Sequence, residues 1–321
     1  MRTWLVTGGA GYVGGHVVRA LLTRGDRVVV LDDLTTGIST RLGRVPLVVG
    51  SVRDRVLVRR TLTEHDAGGV VHLAARKRGD ESLVRPEWYR QENVGGIEAV
   101  LGAMADTGVT RLLASSSAAV YGDPDELPVG EDAPTRPTTP YGQTKLHAEH
   151  LIARAVREHG LRAVAFRYFN VAGTAAADLA DAQPVNLLAR VLDAVETRTR
   201  PVIYGDRHPT PDGTCVRDYV HPADVAAAHV AALPLLEESG MHVLNVGTGR
   251  GWSVREVLDT VAEVTGVRLE PTVAPPRAGD PPAVVAAVER ITDLLGWRAA
   301  HDLRGMVGSA WSARRLSRSA G

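Results

Sequence analysis

The first fourteen residues restrict the fold more than any other stretch. Thr3-Trp-Leu-Val-Thr7 is a short apolar run, the pattern of a buried strand. It breaks into Gly8-Gly9-Ala10-Gly11-Tyr12-Val13-Gly14, after which Val17, Val18, Leu21 and Leu22 recur at helical spacing. Strand, glycine turn and helix in that order suit a dinucleotide: the glycines let backbone amides approach a pyrophosphate, and the helix N-terminus favours its charge. The next strand, 27–31, runs into Asp32-Asp33. An acid about 20 residues past the glycines can accept from both ribose hydroxyls of NAD and would repel the extra phosphate of NADP. No arginine lies within 33–40, so the sequence reads as a site for NAD.

The alternation continues. Strand-like runs at 46–49, 69–74, 111–114 and 164–167 alternate with helix-like stretches at 51–63, 92–105 and one reaching about 158. The run at 111–114 delivers Ser115, Ser116 and Ser117 at its C-terminal end, the edge of an open α/β sheet where ligand chemistry gathers. Tyr141 and Lys145 stand four residues apart and share one helix face. A free phenol ionises near a pKa of about 10, too high for a general base at neutral pH, and a nearby ammonium favours the phenolate. The pair, with the serines 24–26 residues upstream, is a candidate base.

After about Val171 the alternation weakens. Helices are predicted over 184–196, 223–233 and, from the capping box Ser253-Val-Arg-Glu256, through Val264. A further short one ends at 291–295, and 273–282, rich in proline and glycine, reads as a loop. The expected fold is a doubly wound parallel α/β sheet of Rossmann type over 1–171. A smaller α/β substrate-binding domain is expected over 172–321, with parts around 215–236 packing back on the first and a cleft left between.

Lys plus Arg and Asp plus Glu both number 37, which argues against bulk attraction to nucleic acid or an anionic membrane. Cys215 is the only cysteine, so no internal disulfide can form, and a cytoplasmic protein is expected. No apolar run has the length of a membrane span and no signal pattern stands at the start. His65, His72, His147, His159 and His208 show no metal-ligand spacing, so no metal is expected. His221 reads as a structural hydrogen-bonding residue, and Cys215 as buried rather than nucleophilic.

Nearly the whole chain resembles the extended short-chain dehydrogenase/reductase family and, within it, the UDP-glucose (UDP-galactose) 4-epimerases. The resemblance rests on Thr7–Gly14, Ser115–Gly122, Tyr141–Lys145, Arg167-Tyr-Phe-Asn170, Asn245–Gly249, Arg277–Asp280 and, most diagnostically, Pro209–Tyr219. It implies that Gly8, Gly11, Tyr12, Val13, Gly14, Asp32, Ser51, Val52, Lys77, Asn93, Tyr141 and Lys145 hold NAD. It implies Ser117, Tyr141 and Lys145 as the catalytic set: Ser117 on the reacting hydroxyl, Tyr141 as base, Lys145 lowering its pKa and gripping the nicotinamide ribose. Ser117, Tyr141, Asn170, Asn186, Tyr204, Arg217, Arg277, Asp280 and Val284 would contact the UDP-sugar, arginines being suited to phosphate by their fork of donors. A homodimer is implied by the family's usual helix pairing.

The chain departs from the family at Ser51, where an acid is usual, and at Ala119, where threonine is usual. A shortened 173–184 segment and Val284, in place of a tyrosine, are further departures. These changes cluster near the substrate, so UDP-N-acetylglucosamine and UDP-glucuronate stand beside UDP-glucose as substrates. A 4,6-dehydratase would need an acid/base pair where Ala118-Ala119 stand. A non-catalytic NAD-binding protein is the reading from another class.

Overall fold

A computed structural model describes residues 1–183, 185–277 and 279–319, and the side chains through 316. Pro184 and Ala278, the start of one predicted helix and a position in one motif, lie outside the described residues. The strands are β1 Thr3–Thr7, β2 Arg27–Asp32, β3 Leu47–Val49, β4 Gly69–His72, β5 Arg111–Ser117, β6 Arg162–Tyr168, β7 Asn170–Val171, β8 Val202–Tyr204, β9 Val216–Val220, β10 Gly240–Val246, β11 Gly251–Ser253, β12 Thr272–Ala274 and β13 Ala283–Val284. The helices are α1 Tyr12–Thr23, α2 Arg55–Glu64, α3 Gly79–Val84, α4 Pro86–Tyr89, α5 Gly95–Thr107, α6 Pro140–His159, α7 Leu187–Thr197, α8 Pro222–Ala231, α9 Val254–Thr265, α10 Glu289–Leu295 and α11 Leu303–Ser319.

The chain divides into two compact units, and not at one cut near residue 171. One comprises 1–120, 137–167 and 225–244; the other comprises 121–136, 168–224 and 245–321.

In the first unit the sheet runs β10-β6-β5-β4-β1-β2-β3. The pairs β1–β2, β1–β4, β2–β3 and β4–β5 are parallel. The order 3-2-1-4-5-6 is that of a dinucleotide-binding sheet, and β10 extends it by one strand. Strands covered on both faces must be apolar throughout. Accordingly Leu5, Val29, Val70, Leu112 and Ala163 are buried with Val58 and Leu62 of α2 and Ile97 and Val100 of α5. Strand β5 extends through the serines instead of ending before them. The helix expected over 92–105 is broken by a π-turn at Arg90–Val94, and α5 follows. Helix α6 begins where proline occupies its first turn and the Thr139 hydroxyl accepts from the Gly142 amide at 3.2 Å, and it ends at Gly160 with φ 63°.

In the second unit β9 is central, parallel to β7 and β13 and antiparallel to β11. Strands β8 and β12 form a separate parallel pair, so 273–274, the start of the expected loop 273–282, is strand. The hydrophobic stripe of α7 (Leu188, Val191, Leu192, Val195) packs with Val257 and Val261 of α9 and Met306 and Val307 of α11. The capping box forms: Ser253 Oγ accepts from the Glu256 amide at 3.1 Å and Glu256 Oε2 from the Ser253 amide at 2.7 Å. Helix α7 starts three residues later than predicted, because Asn186 caps it by accepting from the Ala189 amide at 2.8 Å.

Candidate active site

The glycine turn of the first unit is tight for a steric reason. Gly8 has φ 71°, and a Cβ there would stand 2.7 Å from the Ala74 amide nitrogen. A Cβ on Gly14 would stand 2.0 Å from the Gly8 carbonyl oxygen. Gly11 caps α1 without any side-chain hydrogen bond, and the first turn of α1 holds no acid. No side chain competes at that cap, and its positive dipole end suits an anion. Tyr12 and Val13 open that helix.

Asp32 ends β2 buried. Its Oδ2 accepts from the Ala10 amide at 3.0 Å and its Oδ1 from the Leu34 amide at 2.9 Å, and each oxygen keeps a lone pair. Burial, reinforced by Asp33, outweighs these bonds and holds the carboxyl above its ordinary range. An arginine does reach this turn from just beyond the 33–40 window: buried Arg41 donates to the Ala10 carbonyl at 3.2 Å. Ser51 Oγ accepts from the Arg53 amide at 3.2 Å, so it shapes the turn after β3, with Val52 beside it. Lys77 is exposed, its Nζ 5.7 Å from the Tyr12 ring centre. Asn93 is buried and clamps the backbone just before Lys77: Oδ1 accepts from the Arg76 amide at 2.8 Å and Nδ2 donates to the Arg76 carbonyl at 3.0 Å.

Ser117, Tyr141 and Lys145 come together in the same unit. The Ser117 hydroxyl faces Tyr141 closely enough to favour its phenolate, and Ser117 Oγ accepts from the Ala119 amide at 3.2 Å. Burial pushes the Tyr141 phenol above its ordinary value and the Ser117 hydroxyl draws it back. The expected lowering by Lys145 is not part of that balance. Lys145 Nζ is turned to β5, donating to the Ser115 carbonyl at 2.9 Å and to Ser115 Oγ at 3.1 Å. Burial lowers the lysine to about 8, against an upward pull from Glu149.

The residues assigned to the UDP-sugar all fall in the second unit apart from Ser117 and Tyr141. Arg277 lies 3.9 Å from the centre of the Tyr204 ring. Arg217 is ion-paired with Asp280 and donates to the Val216 carbonyl at 2.8 Å. Val284 is buried and in register with Arg217 across β13 and β9. Asn170 is exposed on β7, opposite Tyr219. Asn186 is occupied by its cap and by Asp181 at 3.0 Å, with no hydrogen bond to the arginine pair among the described residues.

Three further residues belong to this neighbourhood without having been assigned a role: Glu149, Arg76 and Arg167, the first residue of the Arg167–Asn170 motif. Glu149 is legible by spacing, because Tyr141, Lys145 and Glu149 repeat every four residues along α6. Arg76 carries no local signal; its guanidinium reaches Asp33 at 3.2 Å and Glu92 at 3.5 Å and lies 4.8 Å from the Trp88 ring centre. His221 is structural as expected, accepting from the Ala223 amide at 3.2 Å, and Cys215 is buried. No group of three or more metal-binding side chains exists among the described residues. Nor is any helix among them long and apolar enough to cross a membrane.

The model of the NAD dependent epimerase/dehydratase family matches residues 4–247. A UDP-glucose 4-epimerase of Azospirillum brasilense is 44% identical over 99% of this chain and 93% of its own. Another, from Streptomyces lividans, is 42% identical over 96% of this chain and 94% of its own. The crystal structure of a UDP-glucose-4-epimerase from Stenotrophomonas maltophila, with bound NAD and formylated UDP-arabinopyranose, is similar at 38% identity. It superposes with a TM-score of 0.95, covering 100% of both chains.

Proposed function

The chain belongs to the NAD dependent epimerase/dehydratase family, and from that premise we propose that it inverts C4 of a UDP-hexose, UDP-glucose or UDP-galactose, through a transient 4-keto sugar. The observation that carries this reading is the placing of the Ser117 hydroxyl against Tyr141, with Lys145 one turn further along α6 and bonded to Ser115.

The residues present fit NAD. The turn is too tight for a Cβ on Gly8 or Gly14, no side chain caps the start of α1, and Asp32 presents one spare lone pair per oxygen for a ribose diol. Gly8, Gly11, Tyr12, Val13, Gly14, Asp32, Ser51, Val52 and Lys77 would hold the cofactor, with Asn93 fixing the loop that carries Lys77. When bound, NAD would supply the acceptor for the hydride leaving the sugar carbon and, once reduced, the donor for its return.

Ser117 orients the C4 hydroxyl, and Tyr141, ionised, takes its proton. Because burial holds the phenol high, the base-competent fraction grows with pH. Lys145 spends two of its three protons on Ser115 and has one left for the nicotinamide ribose. Arg217 and Arg277 suit the diphosphate, and Tyr204, Asn170 and Asp280 the rest of the nucleotide. That grip holds the ketone while it turns over, so the net reaction needs no external redox partner. Val284, small and buried, favours a second reading in which an N-acetyl group at C2 is admitted.

Incubation with UDP-glucose, UDP-N-acetylglucosamine and UDP-glucuronate, without added NAD, tests the assignment. Conversion of UDP-glucose to UDP-galactose is the expected result. Conversion of the acetylated sugar alone would move the assignment to a hexosamine, and retained NAD with no conversion of any sugar would leave a non-catalytic protein.

The single buried thiol of Cys215 suits the cytoplasm. An open groove of about 440 Å³ along α6, lined by Leu146, His150 and Leu151, offers a face for a second copy of the chain. Sedimentation should then give twice 34.2 kDa; a monomer at micromolar concentration would overturn the dimer.

A further inference from the structure

One layer beneath Lys145, a carboxylate and a guanidinium are buried together. Glu149 and Arg167 are each 5% exposed. Arg167 Nε donates to Glu149 Oε1 at 3.0 Å and its NH2 group to Oε2 at 2.7 Å, a two-point fork. Ser116, next to the serine that holds Lys145, also donates to Glu149 Oε1. Removing ions from water is costly, and a fold seldom gains stability from such a pair over an apolar one. A buried pair beside a site of chemistry therefore asks for a reason other than stability.

The geometry supplies one. Glu149 lies one helical turn beyond Lys145 on the same face of α6. The groups around the lysine are His72 from β4, Asn93, Ser115 and Ser116 from β5, and Thr144 and Glu149 from α6, all lining a cavity of about 10 Å³ that has room for one water at most. His72 is bonded to Thr7 Oγ1 at 2.8 Å and burial, with Lys145 nearby, lowers it to about 3, so it is neutral at working pH. Glu149 is then the anion of this pocket, and Arg167, from β6, is the group that aims it.

Resting on the epimerase reading above, we propose that Glu149 and Arg167 are positioning residues for Lys145: the carboxylate holds the buried ammonium charged and seated on Ser115, and the guanidinium holds the carboxylate in place. The depression of Lys145 by burial and its recovery through Glu149 agree with this.

Glu149→Gln alone would strand the Arg167 cation in the interior, so the test is the paired variant E149Q/R167M, with E149M/R167L as the replacement should the first not fold. Two readouts are made on each: the titration of Lys145 followed by NMR of ¹³C-labelled lysine, and the pH–rate profile of the NAD-loaded enzyme. In the parent enzyme the rate should stop rising near pH 8, where Lys145 loses its proton. In the folded variant both the lysine titration and that break should move down by about one pH unit, with the acid limb unmoved. Glu149→Asp, which keeps the charge, should restore the parent position. A merely structural pair would depress both limbs together and leave the break in place. That result, or an unshifted Lys145 titration in a folded variant, would overturn the proposal. The NMR titration needs no turnover, so an inactive parent enzyme would count against the epimerase reading and not against the pairing.

Discussion

Tyr141→Phe should lower kcat by about three orders of magnitude, within the range that a positioned acid–base group contributes, while leaving the fold and the affinity for UDP intact. Phenylalanine keeps the ring and its burial and removes only the oxygen that meets Ser117. The main-chain amide of residue 141 still reaches Ser82 Oγ at 3.1 Å, so the start of α6 is not disturbed. In the parent enzyme the rate should rise with pH on the acid side, because burial has moved the phenol up and each step toward alkaline pH enlarges the ionised fraction. Turnover near that of the parent in Tyr141→Phe, measured by product formation at saturating UDP-sugar, would remove the assignment.

The second large effect is expected at Gly14. An added methyl would sit 2.0 Å from the Gly8 carbonyl oxygen and 2.8 Å from the Gly9 Cα. Its three nearest neighbours are backbone atoms, which cannot swing aside as a side chain could. Gly14→Ala should therefore spread the turn from the helix, at a cost of about 1–3 kcal/mol for overpacking, and should purify without NAD. Gly11→Ala is the control: its Cβ would meet only the Gly8 oxygen, at 3.1 Å, and should lose far less cofactor. Absorbance at 260 nm relative to 280 nm, together with Tm, reads both. Equal NAD content in Gly14→Ala and the parent would mean that the turn does not cradle the cofactor.

How much of this was legible beforehand depended on how local each device is. The glycine turn, Asp32, the Ser253 capping box and the Tyr141/Lys145 pair each declare themselves within a few residues, and each has the expected local structure. What the lysine does at close range was not legible. The four-residue spacing puts both side chains on one face, but β5 continues through Ser115 and offers the ammonium a carbonyl 2.9 Å away, and the phenol answers to burial and to Ser117. Arg76 carried no signal and Arg167 stood in a motif without a role, because their partners lie 43 and 18 residues away. Asn186 shows the reverse case. It stands where a substrate contact was expected, yet its side chain has a cap to make, and that local demand set the true start of α7. Strand β10 escaped because its first four residues are only half-buried, which blurs the continuous apolar run of an interior strand.

The seventh strand has a consequence for how the molecule is made. A ribosome releases β6 more than seventy residues before β10, and β10 is the neighbour that covers the β6 edge. During synthesis that edge stands bare while residues 168–224 of the second unit emerge, and an unpaired edge is a template for the wrong partner. No gene fragment ending near codon 171 can express a complete nucleotide-binding sheet, so dissection of this enzyme into halves calls for a circular permutation or a grafted strand.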